Sequence, residues 1–133
     1  MNQVWKDEPN ILDFEYKGYK CRILRNQSNC LCGYVGVKDS SKFYYQDYDD
    51  CYINVHGGLT YSDSHCPMNH ENDQYMYLGL WWLGFDCAHA GDLIPSIMRA
   101  YSDVGDTYKD IGFVRGEIEN MVDQIIEEEN EDN

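Results

Sequence analysis

Apolar residues, many of them aromatic or β-branched, recur through residues 11–16 and again through 19–24, on either side of Lys17-Gly18. The aromatic and β-branched side chains there predict two strands joined by a tight turn. Residues 31–37 read as a third strand, which completes a meander. After the polar break Ser40-Ser41-Lys42, residues 52–56 alternate and stop at Gly57-Gly58, with Leu59-Thr60-Tyr61 continuing beyond; this predicts a strand closed by a glycine turn. Residues 62–73 are polar, contain Pro67 and two histidines, and predict an irregular loop. Residues 75–83 are apolar on both alternations, the pattern of a central strand covered on both faces.

The period then changes. Val114, Ile118, Met121, Val122, Ile125 and Ile126 recur at helical spacing opposite an acidic face. An amphipathic helix is predicted over residues 108–128, with Asp106 or Thr107 as its N-cap and Val114, Ile118, Met121, Val122 and Ile125 facing the sheet. Residues 128–133 are expected to fray as an acidic tail, because they lack apolar anchors and their charges oppose the helix dipole. The expected fold is α+β, a mainly antiparallel sheet packed against a long acidic C-terminal helix. At 133 residues one domain spanning 1–133 is the natural size.

No apolar run approaches the roughly 20 residues of a membrane helix, and the N-terminus lacks the basic and apolar regions of a signal peptide. A cytoplasmic protein is expected. In that setting the six cysteines, at 21, 30, 32, 51, 66 and 87, read as free thiols used as small buried hydrophobes. Net charge is −14, and eight of the acids fall within residues 117–133, with no Lys or Arg after Arg115. A second cluster is Asp47-Tyr48-Asp49-Asp50. Such a field repels phosphate backbones, so direct nucleic-acid binding is disfavoured and a basic protein partner is favoured. Asp47, Asp49, Asp50, Glu117, Glu119, Asp123 and Glu127 are the candidate partner-binding residues.

Candidate chemistry concentrates where Trp81-Trp82-Leu83-Gly84-Phe85 runs into Asp86-Cys87-Ala88-His89-Ala90-Gly91-Asp92. His56, Trp82, Asp86 and His89 form a candidate ligand pocket, and His56, Asp86, His89 and Asp92 a candidate metal set if the two strand ends are neighbours. Two imidazoles with two carboxylates suit a divalent ion such as zinc or manganese with open positions for water. A second combination, Cys66, His70, Cys87 and His89, has the composition of structural zinc, although its spacings are not those of a standard finger. Against both stands a plainer reading, in which Asp86 and Asp92 cap, His56 satisfies backbone and Trp82 is core. Neither hydrolase nor nucleotide-binding signatures of the common kinds occur.

The blocks Asp47-Tyr48-Asp49-Asp50, Val55-His56-Gly57-Gly58-Leu59-Thr60-Tyr61 and the Trp81 to Asp92 stretch, followed by an acidic helix, resemble a family of small proteins carried by phages and prophages. The likeness spans roughly residues 33–126, within single-domain size. It implies an accessory role in countering host defence, an acidic surface occupying the basic channel of a nuclease complex. Two functions are therefore expected. The first is an anti-defence factor resembling an anti-CRISPR inhibitor, which blocks a host nucleic-acid-handling effector through its acidic surface. The alternative is a metal-dependent hydrolase or binder of a small nucleotide-like ligand that uses the His56, Asp86, His89 and Asp92 cluster.

Overall fold

A computed structural model describes residues 10–26, 30–67, 79–87 and 110–131. Within them five strands form one antiparallel sheet in the order β1-β2-β3-β5-β4. Strand β1 is Ile11–Tyr16, β2 Tyr19–Arg25, β3 Leu31–Val37, β4 Tyr61–Asp63 and β5 Trp81–Asp86. The helix α1, Ile111–Glu131, packs on β2 and β3. The predicted α+β class is the observed one.

The hairpin turn uses two left-handed residues, Lys17 at φ 51° and Gly18 at φ 87°, as a two-residue connection between twisted strands requires. Strand β3 is buried along its whole length, and its neighbours β2 and β5 are buried through most of theirs. Alternation then divides the side chains between two cores. Cys21, Ile23, Val35, Leu83 and Phe85 meet Val114, Ile118, Met121, Val122 and Ile125 of α1, all five of which are fully buried as the period predicted. On the other face Leu24, Cys32, Tyr34 and Trp82 pack with Leu80 and Cys66 in a smaller cluster.

The two central strands are locked by a reciprocal aromatic-glycine exchange. Gly33 pairs with Phe85 and Tyr34 with Gly84. A Cβ on Gly33 would lie 2.7 Å from the Phe85 ring, and one on Gly84 would enter the ring of Tyr34. Each ring therefore lies over the opposite glycine, one on each face of the sheet.

Several boundaries differ from expectation. Residues 52–55 alternate in burial, yet they belong to no strand, and His56 opens the turn that follows. Their backbone is instead satisfied by side chains of α1. The Asn54 N–H donates to Gln124 Oε1 and Gln124 Nε2 donates back to the Asn54 carbonyl, both at 2.7 Å, with Asn120 Nδ2 donating to the same carbonyl at 3.3 Å. The His56 N–H donates to Glu117 Oε1 at 2.7 Å. Positions 117, 120 and 124 form one stripe of the helix, so their side chains replace a neighbouring strand. The sheet's outer strand comes from residues 61–63, of which Ser62 and Asp63 were expected to open the long loop. The described part of the expected strand at 75–83 is displaced towards its C-terminal side, to residues 81–86, while residues 75–78 lie outside the described residues.

The helix cap is Asp110, not Asp106 or Thr107, which lie outside the described residues: its Oδ1 accepts from the Phe113 N–H at 2.8 Å and its carbonyl from Val114 N–H at 3.0 Å. At the other end the helix continues to Glu131, past the residue where fraying was expected. Two acids of that stretch are held by the sheet end. Lys42 Nζ lies 3.3 Å from Glu128, and Glu129 accepts hydrogen bonds from the hydroxyls of Tyr19 and Ser41. No helix among the described residues is long and apolar enough to cross a membrane.

Candidate functional site

Three of the four residues predicted to form a pocket, His56, Trp82 and Asp86, lie among the described residues. Trp82, only 1% exposed, is core on the face away from α1 and offers no ligand platform. Asp86 ends β5 on that same face, opposite Cys32, and accepts a hydrogen bond from Thr60 Oγ1 at 3.2 Å. Thr60 is brought there by its own backbone bond to the Gly84 carbonyl at 2.9 Å. His56 sits on the helix side, with its ring edge-on to Phe113 at 5.1 Å between centroids and its N–H on Glu117. These contacts turn His56 and Asp86 to different sides of the sheet. His89 and Asp92 lie outside the described residues, among which no three His, Cys, Asp or Glu side chains converge as a metal ion would need.

The thiol-containing set is divided in the same way, since Cys66 belongs to the core behind the sheet and Cys87 to the core beneath the helix; His70 lies outside the described residues. All six cysteines are buried and none is disulfide-bonded. Burial pushes the Cys21 thiol up to about 12 and those of Cys32 and Cys51 to about 11, the opposite of the activated state a nucleophile or metal ligand needs.

The seven acids proposed to face a partner divide by what already holds them. Glu117 accepts from the His56 N–H, and Asp123 takes a 2.8 Å salt bridge from Lys17 and a hydrogen bond from the Tyr16 hydroxyl. That pair holds the Asp123 carboxyl below its usual range, chiefly through the Lys17 hydrogen bond. Glu119 pairs with Arg115 at 3.7 Å, and Arg115, the only base in α1, also lies over the Phe14 ring. Asp47 opens the 3-10 turn Tyr48–Asp50 and accepts from Ser62 Oγ. Among the described residues the exposed carboxylates of Asp49, Asp50 and Glu127 have neither hydrogen bond nor ion pair, so they present their charge to solvent.

Fold brings the two acidic runs together. Asp50 of the 3-10 turn and Glu128 of α1 line one recess of about 240 Å³, together with Lys42, Gln46 and Tyr52. Tyr52 is 90% exposed. Beside it the Gln46 carbonyl accepts from Trp81 Nε1 at 2.9 Å, and the Trp81 ring stacks 4.8 Å from Tyr45, itself 65% exposed and edge-on to Tyr44. An exposed aromatic ladder thus adjoins the acidic recess. Sequence reasoning missed Tyr45, Tyr52 and Glu128. The run Phe43-Tyr44-Tyr45 next to the acidic cluster was the available signal.

Comparison with protein-family models, curated proteins and solved structures gives no match.

Proposed function

We propose that this chain is a phage-type accessory protein that binds a basic host nucleic-acid-handling effector and inhibits it through the surface between the 3-10 turn and the C-terminal half of α1. One observation carries the reading: Asp50 and Glu128, distant in sequence, border the same recess beside the exposed Tyr52. Two acidic runs that are separate in the sequence thereby contribute to one surface. Lys42, the cation of that recess, is already paired with Glu128.

A concentrated negative potential attracts a basic groove and competes with the phosphates that groove normally holds. Tyrosines beside it add contact area at low entropic cost, and tyrosine and tryptophan are among the residues enriched where interfaces derive their affinity. The Gln46–Trp81–Tyr45 arrangement holds that aromatic surface in place before any partner arrives. No observation among the described residues favours the metal-dependent alternative over this reading.

The test is to mix the protein with a guide-RNA nuclease and follow complex formation and cleavage across a salt series. Inhibition is expected at low salt and should weaken as the screening length shrinks from about 10 Å at 0.1 M to about 3 Å at 1 M. Absence of a complex together with undiminished cleavage at low salt would refute it.

A further inference from the structure

A larger recess, about 620 Å³, opens at the end of the sheet where the β1–β2 turn, residues 38–41 and the C-terminal turn of α1 meet. Its size lies within the ~300–1,000 Å³ common to small-molecule sites. The acidic-surface reading makes no use of it.

The charge of this recess contrasts with that of the whole chain. Three lysines, Lys17, Lys20 and Lys38, and three acids, Glu15, Asp39 and Glu129, line it, so the lining is balanced in a protein of net charge −14. Two of the lysines are satisfied: Lys20 by Glu15 and Lys17 by Asp123. Among the described residues Lys38 has no ion pair and no side-chain hydrogen bond, and neither does the neighbouring Ser40.

Glu129 is the complementary end. One of its oxygens accepts from the Tyr19 hydroxyl at 3.0 Å and the other from Ser41 Oγ, and no cation among the described residues pairs with it. Ser41 is itself positioned, since its N–H donates to the Lys38 carbonyl at 2.9 Å and its Oγ accepts from the Phe43 N–H at 3.1 Å. An ionised carboxylate has about four lone-pair positions, so two hydroxyl donors leave it with capacity for a charged donor.

We propose that this recess binds a small zwitterion with a free carboxylate and a free ammonium, of the kind presented by a short peptide with unblocked ends. The carboxylate meets Lys38 and Ser40, and the ammonium meets Glu129. A phosphate dianion fits less well, because three carboxylates surround the lysines. A simple cation meets three ammonium groups on entry.

The test is an amide ¹H–¹⁵N NMR titration of the full chain with a panel of unblocked dipeptides, the same dipeptides N-acetylated or C-amidated, and inorganic phosphate. Saturable shifts are expected at Gly18, Gly36, Ser40 and Ser41 with unblocked dipeptides. Blocking either end should weaken them roughly tenfold or more, the consequence of losing one charged hydrogen-bonded contact. Lys38→Ala, at an exposed residue whose side chain has no partner among the described residues, should weaken binding similarly with the remaining spectrum unchanged. Glu129→Gln should do the same; if that variant unfolds, the blocked ligands and Lys38→Ala decide. The proposal is overturned by no saturable shift with any dipeptide, by equal responses to blocked and unblocked forms, by undiminished binding to Lys38→Ala, or by phosphate shifts as large as the peptide ones. Any of these outcomes leaves nuclease inhibition to be judged separately.

Discussion

The two faces of the sheet solve the same burial problem by different means. Beneath α1 the core is apolar, closed by five helix residues that are fully buried. Behind the sheet the cluster is smaller and contains a guanidinium. Arg22, 1% exposed, donates from Nε and its Nη2 to the two oxygens of Asp13 at 2.7 and 3.0 Å, and from Nη1 to the Pro67 carbonyl at 3.1 Å. The helix face derives its stability from area removed from water. The rear face depends on one charge remaining fully paired, because an ion stripped of its partner in such a place is costly whatever surrounds it.

The contrast breaks most violently on the helix face. Met121→Asp inserts an unpaired carboxylate at a fully buried position, and a loss of several kcal/mol or outright unfolding is expected in chemical denaturation. On the rear face Asp13→Ala leaves Arg22 buried without its carboxylate and should cost about 3 kcal/mol, less if water reaches the site through the partly exposed Asp13 position. The sharper test is the double substitution Asp13→Leu with Arg22→Met. If charge pairing rather than shape is what the rear face requires, the double variant should be more stable than Asp13→Ala alone.

Helix-face residues are the ones that sequence pattern resolves, because a 3.6-residue period in Val114, Ile118, Met121, Val122 and Ile125 is the mark of a helix with one buried side. The meander was equally legible from the aromatic and β-branched residues on either side of Lys17-Gly18. Residues 52–56 show the limit. Alternation records which side chains are buried, and Ile53 is indeed buried; it does not record whether the backbone partner is a strand or a stripe of helix side chains. The orientation of the candidate site's described residues was hidden for a related reason. His56 and Asp86 both stand near turns, which suggested a shared pocket, but their orientation depends on Thr60 and Glu117, residues whose roles only tertiary contacts reveal. The acidic runs were visible as composition, whereas their meeting at Asp50 and Glu128 was not.

Buried thiols lie on both faces, Cys21 and Cys51 beneath the helix and Cys32 behind the sheet, so alkaline pH loads both cores together. Burial raises these thiols from 9.0 to about 12, 11 and 11 for Cys21, Cys51 and Cys32. Below pH 9 they are neutral in the folded and unfolded chain, and their contribution to stability is fully present. Above pH 9 the unfolded chain loses protons first, so the melting temperature should fall steadily from there towards pH 11. A melting temperature flat to pH 11 would show that the thiols are not desolvated.

A smaller effect separates the helix-held segment from true sheet. Gln124→Ala removes both amide contacts to Asn54 at an exposed edge, and about 1–2 kcal/mol is expected, accompanied by faster amide exchange at Asn54 and His56 but not in β3. Uniformly faster exchange would mean that the segment and the sheet open as one unit.

The smallest expected change in stability accompanies the largest expected change in function. Asp49, Asp50 and Glu127 have no side-chain hydrogen bond or ion pair among the described residues, and reversing them to lysine in one triple variant should leave the melting temperature unchanged or slightly raised, since it relieves repulsion in a chain of net charge −14. The decisive measurement is nuclease inhibition by this folded triple variant beside the unaltered protein at low salt. The account predicts that the unaltered chain inhibits and the triple variant does not; equal inhibition by the two would contradict an acidic surface as the means of binding.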